Sequence, residues 1–178
     1  MRPPIAIIAV AALACGLLLL SGWDFLDRTV PAMAAVDTQA TMIVVDKKAR
    51  KLMLLHDTDV LKTYDVSLGR AAVGTKQQEG DSRTPEGHYV IDAKSPGSRF
   101  HLALHVSYPD AADRDRARRR GVSPGGDIMI HGLRNGLGWL GRLHLAVDWT
   151  DGCIAVTDSQ VEEIWSLVTV GTPIEIKP

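Results

Sequence analysis

The distribution of apolar positions divides the chain in two. From Pro3 to Trp23 no charged residue occurs over 21 positions, Ile5 to Leu20 is almost wholly aliphatic, and Arg2 stands in front. A basic residue followed by an apolar run is the pattern that the export machinery reads. At about 1.5 Å rise per residue, the run also comes close to spanning a bilayer as a helix. Ala32-Met33-Ala34 offers an A-x-A cleavage site, yet it lies 14 residues beyond Leu20. Residues 1–34 are therefore expected to be either a signal peptide or an uncleaved membrane anchor, and residues 35–178 one exported domain. Cys15 sits inside the apolar run, which continues through Gly16 to Leu20, so it reads as a buried apolar residue and not as a lipid attachment point.

Beyond residue 40 the pattern has a period of two. Thr41 to Asp46, Lys51 to His56 and Val60 to Leu68 read as strands of a meander, with a turn at Lys47-Lys48-Ala49-Arg50. Gly74 to Thr84 is polar and contains glycine, which predicts a loop. Further strands are expected at His88 to Asp92, Leu102 to Ser107, Asp127 to His131 and Thr172 to Lys177. Two segments carry helical signals instead. Pro109 to Arg120 has Asp110 and Asp113 near its start, arginines in its last turns and Gly121 behind it, as the helix dipole and a glycine C-cap prefer. Thr157-Asp158-Ser159-Gln160 is a capping box, and Val161, Ile164, Trp165 and Val168 form one apolar face after it.

Composition narrows the class. With 20 Lys and Arg against 21 Asp and Glu, the net charge is -1, which removes the basic face that a phosphate binder needs; no nucleic acid is expected as partner. A hydrophobic content of 46% is too high for a disordered chain, and two cysteines cannot build a disulfide scaffold. The domain after residue 34 keeps only Cys153. In an oxidising compartment a lone thiol is an oxidation liability, so a chemical role for it gains weight over a packing role.

Three other features have plain readings. His101 and His105 are four apart in a stretch that alternates like a strand, which sets them roughly 13 Å from each other, too far to share a metal. Gly136-Leu137-Gly138-Trp139-Leu140-Gly141 matches G-x-G-x-x-G, but a dinucleotide site needs a strand just before it and a helix just after it. The glycines are expected to let a loop fold over a site as a lid. The arginines from Arg114 to Arg120 read as a solvated helix face.

His131 and Cys153 stand out. His131 lies at the exit of an apolar strand and is followed by Gly132; Cys153 lies between the polar turn Thr150-Asp151-Gly152 and the apolar run Ile154-Ala155-Val156. A free thiol is only about 3% thiolate at pH 7, so a thiol nucleophile gains from an imidazole as base. Gly152 allows close approach of a substrate backbone, and turn amides there can bind an oxyanion. An Asp151 carboxylate facing the sulfur would raise the thiol pKa, so it is expected to point away and stabilise the turn. His144 is nearer in sequence and stays open as the alternative base. The nucleophile and base need neither metal nor organic cofactor.

Ser67-Leu68-Gly69, the run Glu79 to Tyr89 containing Thr84-Pro85-Glu86-Gly87, Ile130-His131-Gly132 and Thr150-Asp151-Gly152-Cys153 together resemble the YkuD-type L,D-transpeptidase catalytic domain, over residues about 41 to 177. Thr150-Asp151 before Gly152, Ala155 in the place of a family arginine, Ser107-Tyr108-Pro109-Asp110 and Ala112-Asp113-Arg114 are similar to the YafK-like subgroup of Gram-negative bacteria. The resemblance implies a mainly β fold, an L,D-transpeptidase-like β-sandwich or barrel with one or two short helices. It implies that Cys153 attacks the diaminopimelate carbonyl of a peptidoglycan tetrapeptide stem, with His131 as base and acid and Gly152 in the oxyanion turn, and that an amine acceptor resolves the thioester. Hydrolysis of the same linkage, releasing wall-linked lipoprotein or stem peptides, and a non-enzymatic wall-binding module are the alternatives. The implied setting is the periplasm or the periplasmic face of the inner membrane, in cell wall biogenesis and cell shape.

Overall fold

The computed structural model describes residues 30–35 and 38–178. The export or anchor segment and Cys15 lie outside the described residues. Eight strands form one curled sheet in the order β3-β2-β1-β8-β4-β5-β6-β7. β1 (Met42–Asp46), β2 (Lys51–His56) and β3 (Asp59–Asp65) are the antiparallel meander expected from the alternation. β8 (Pro173–Lys177) pairs parallel to β1 and antiparallel to β4 (Gly87–Ser95). β5 (Ala103–Val106) and β6 (Met129–His131) follow antiparallel, and β7 (Ile154–Ala155) runs parallel to β6.

The curl comes from two places where the chain changes partner. The first half of β4 pairs with β8 through Val90, its second half pairs with β5 from Ile91, and a register shift lies between Ile91 and Ala93. Such a bulge adds a residue on one strand and bends it. It also breaks the period of two at Asp92, where the sequence pattern ends the strand; β4 continues to Ser95, before Pro96 and Gly97. The second place follows β3. Residues predicted as its continuation leave β2 and bond to the far edge: Ser67 exchanges backbone hydrogen bonds with Ala155, and the Thr150 amide donates to Leu68 O. These bridges bring the two edges of the sheet together. Alternation alone gave one strand from Val60 to Leu68, because its side chains keep alternating while its partner changes.

Inside the curl, Ile43, Leu52, Leu54, Leu68, Ile91, Leu104, Ile130, Ile154, Ile174 and Ile176 are all buried. Each contributes roughly 1.5–3 kcal/mol by leaving water. α2 (Asp158–Leu167) lays Val161, Ile164 and Trp165 on this core, with Val168 buried just behind them. Its capping box is present as the sequence predicts, Thr157 with Gln160, and at its other end Lys94 Nζ donates to Trp165 O and Val168 O and lies over the Trp165 ring. α1 (Ala111–Arg120) starts two residues later than Pro109, with Asp110 as N-cap and Asp113 closing a capping box, and ends on Gly121 at φ +66°. Arg116 and Arg118 pair with Asp113 and Asp115 on this helix, and Arg120 reaches Gln77.

Gly138–Ala146 is not a plain loop but two 3-10 stretches that meet at Gly141 (φ +46°, ψ −129°). Gly132 and Gly138 pack it onto the start of α2: a Cβ on either would lie 2.7 or 2.3 Å from an Asp158 carboxylate oxygen. The glycines lie between the parallel strands β6 and β7, but this crossover is a kinked 3-10 stretch and no α-helix opens at Gly141, so the dinucleotide pattern is fortuitous. Among the described residues, no helix is long and apolar enough to cross a membrane.

Candidate active site

The parallel pairing of β6 and β7 sets His131 opposite Ala155 and Ile130 opposite Ile154. Side chains alternate faces along a strand, so Ile130 and Ile154 enter the core while Met129, His131 and Cys153 share the other face. The Cα atoms of His131 and Cys153 are then ~8 Å apart, two residues along and one strand across. Both side chains line one cavity of about 510 Å³, together with Ser98, Arg99, Phe100, Asp127, Trp149 and Asp151.

The thiol has two backbone contacts. Cys153 Sγ donates to Asp127 O at 3.4 Å, and the Met129 amide donates to the sulfur. Asp127 reaches this position with φ +55°, a region that Asp tolerates better than most residues, and this is why β6 begins at Met129 and not at Asp127. Burial pushes the thiol above its ordinary value; the Met129 hydrogen bond opposes this, while the Asp127 and Asp151 carboxylates add to it. Asp151 is held outward by Arg70 and by Ser82 Oγ at 3.3 Å, so it ties the turn to its neighbours as expected from the sequence. Even so it contributes to raising the thiol.

His131 is buried, 3% exposed, with Phe100 tilted over it at 4.6 Å between ring centroids and Trp149 edge-on at 5.8 Å. Its Nδ1 lies 2.6 Å from Gly132 O. A carbonyl only accepts, so the proton belongs on Nδ1 and Nε2 is left as the basic nitrogen. Burial pushes the imidazole below 6.5, against the carbonyl, which supports the protonated form. The resting pair is therefore neutral thiol and neutral imidazole.

His144, the other candidate base, is placed differently. It does not line the cavity of Cys153; its Nδ1 accepts from Trp149 Nε1 at 3.4 Å and lies 3.3 Å from Ser67 Oγ. Its Nε2 is buried and, among the described residues, has no hydrogen-bond partner.

Gly152 carries φ +128°, and a Cβ there would lie 2.6 Å from Arg83 O. Its amide donates to Thr150 Oγ1 at 3.2 Å, and Thr150 Oγ1 donates to Cys153 O at 2.7 Å. Close by, a Cβ on Gly69 would meet Ser82 O at 2.2 Å, and the Gly69 amide donates to the buried Thr84 Oγ1. Three backbone segments thus cross at the nucleophile's turn: Ser67 to Gly69, Ser82 to Thr84 and Thr150 to Cys153. Lys47, buried against Glu86, donates to Gly74 O and Thr84 O, and Lys76 pairs with Asp81, which accepts three backbone amides. These two buried ion pairs hold the loop expected at Gly74 to Thr84 in one shape.

His101 and His105 turn to different carboxylates, Glu162 at 2.7 Å and Asp92 at 2.6 Å, and His101 stands outside β5 with φ +66°. Phe100, Asp127, Met129 and Trp149 at the site were not singled out from the sequence. The aromatic pair had a signal in its rarity, since only 5% of the chain is aromatic.

Residues 40–176 match the sequence profile of the YkuD L,D-transpeptidase catalytic domain. The chain belongs to this family. YafK of Escherichia coli (strain K12) is 29% identical over 112 residues, 62% of this chain and 38% of YafK, so the chain spans well under half the length of that relative. The helical cell shape determining protein Pgp2 from Campylobacter jejuni superposes with a TM-score of 0.58 at 23% identity, over 86% of this chain and 53% of Pgp2. An L,D-transpeptidase from Mycobacterium smegmatis gives 0.52 at 18% identity, over 77% of this chain and 58% of its own. The curled mainly β sheet is thus the fold of the L,D-transpeptidase catalytic domain.

Proposed function

We propose that the protein is an exported cysteine L,D-transpeptidase that takes its acyl group from a peptidoglycan tetrapeptide stem. The observation that carries this reading is the shared cavity of Cys153 and His131, with Nδ1 of the imidazole committed to Gly132 O. The thiol attacks the diaminopimelate carbonyl as its proton passes to His131 Nε2. The oxyanion is assigned to the amides of the Gly152–Cys153 turn, of which that of Gly152 is lent to Thr150 in the resting state. The C–N bond to the terminal D-alanine breaks, the imidazolium returns the proton to the leaving amine, and a thioester remains. An acceptor amine then attacks the thioester, gives a proton to His131, and the thiol is restored.

With thiol raised and imidazole lowered, the proton moves during attack and not before it, so His131 acts as a general base. Incubation of the protein with a defined disaccharide tetrapeptide, with and without a second stem as amine donor, followed by mass analysis of the products, tests the reading. Release of D-alanine with an amine-dependent crosslinked product is expected. Tripeptide formed by water alone, whether or not amine is present, would assign the hydrolase instead; no turnover and no thiol adduct would leave a wall-binding module.

A further inference from the structure

The segment from Leu133 to Val147 carries apolar residues that face solvent. Trp139 is 76% exposed, Leu143 71% and Val147 64%, and Leu137 is exposed beside them. Leu137, Leu140, Leu143 and Val147 line a groove of about 410 Å³ that meets the cavity of Cys153 at the Phe100 and Trp149 wall, with Arg134 at its side. From Leu133 to Val147 there is no Asp or Glu; Arg134 stands at the groove, while Arg142 is paired with Asp65. A surface that combines an exposed tryptophan, aliphatic side chains and a cation at its rim suits the boundary between lipid headgroups and acyl chains.

The same chain points to a bilayer as the occupant. Its first 23 residues hold the uncharged run from Pro3 to Trp23. The described chain enters beside the end of α2, where the Ala34 amide donates to Ser166 O, while the Leu133–Val147 segment packs on the start of α2 through Asp158. These two points are separated by one ten-residue helix, about 15 Å. The stretch from Trp23 to Ala34 reaches at most about 40 Å when extended, so a retained anchor holds the segment within contact distance of the membrane.

We infer that the exposed face of Leu133–Val147 docks onto an anionic lipid bilayer, with Trp139, Leu143 and Val147 entering the headgroup and acyl boundary. The inference rests on reading residues 1–34 as an uncleaved anchor. Docked in this way, the domain is turned by a second contact besides its tether, which fixes the direction in which the cavity of Cys153 faces the wall.

The test uses the full chain carrying Trp23→Phe, in vesicles of phosphatidylethanolamine and phosphatidylglycerol with and without bromine on the lipid tails. Flotation of the vesicles reports the anchor, and quenching of tryptophan emission by brominated tails reports the docked face. The expected result is flotation together with quenching that Trp139→Phe removes and that Arg134→Glu weakens at least twofold. Flotation with no Trp139-dependent quenching overturns the docking and leaves the anchor; a chain that fails to float overturns both. Loss of turnover on a soluble tetrapeptide in Trp139→Phe, without quenching in the parent, would assign the face to substrate and overturn the docking as well.

Discussion

Two cavities meet at the wall made by Phe100 and Trp149, and each has one buried histidine behind or beside that wall. On one side is His131 with Cys153; on the other is His144 among leucines. Burial lowers both imidazoles from the ordinary value of 6.5 and so favours their neutral forms. What separates them is the partner of Nδ1. Gly132 O accepts, so His131 keeps its proton on Nδ1 and has a free basic Nε2. Trp149 Nε1 donates, so the Nδ1 lone pair of His144 is occupied, and its proton sits on an Nε2 that meets no acceptor among the described residues. Two histidines that burial favours as neutral are thus unequal as bases, and the difference lies in which backbone or ring atom reaches one nitrogen.

The largest effect that can break this comparison is a swap of damage. His131→Gln is expected to lower kcat on a tetrapeptide by 10²–10⁴-fold, the usual weight of a general base, whereas His144→Gln is expected to lower it less than tenfold. Steady-state kinetics of the two variants decides it, and the reverse order would make His144 the base. Next in size, Gly152→Ala must place a Cβ 2.6 Å from Arg83 O at φ +128°, so it should cost about 1–3 kcal/mol of stability and most of the activity, while Gly136→Ala, where a Cβ meets nothing within 4 Å though φ is +86°, should cost activity little. Denaturant melts paired with rates would show the two glycines behaving alike if the backbone crossing is unimportant.

A smaller effect concerns pH. Unfolded, both histidines titrate near 6.5; folded, both resist protonation to lower pH. The unfolded chain then binds more protons as the pH falls below 6.5, so stability is intact above that value and declines below it, by at most about 1.4 kcal/mol per pH unit for each histidine. In His144→Gln the slope of the melting temperature between pH 6.5 and 5 should fall; an unchanged slope would mean that His144 titrates freely. The smallest expected change is that of Trp149→Phe, which keeps a ring in the wall but removes the hydrogen bond to His144, and should cost about 1 kcal/mol in a thermal melt with kcat reduced less than tenfold.

Much of this site was legible in the sequence because its chemistry needs particular side chains. A lone thiol beyond the N-terminal apolar run, a histidine at the end of an apolar strand and a glycine before the cysteine are residue-type signals. The tautomer of His131 was not, since its determinant is Gly132 O, and every residue has a carbonyl. The same holds for Asp127 O and the Met129 amide at the sulfur. In the fold, β1 and β2 and the apolar face of α2 followed from periodicity, and α1 from the charges at its ends and Gly121. The change of partner after Asp65 did not, because Ser67 continues the alternation while bonding to Ala155 at the opposite edge. Side-chain pattern reports which face a residue takes and is silent about which strand its backbone joins.

In the proposed reaction Cys153 carries the acyl group. Rapid acid quench of the protein during turnover of a disaccharide tetrapeptide, followed by intact mass and peptide mapping, tests it most directly. A mass gain equal to the substrate less D-alanine, located on Cys153 and absent from Cys153→Ala, is predicted. D-alanine release with no covalent adduct, or an adduct that persists in Cys153→Ala, would contradict it.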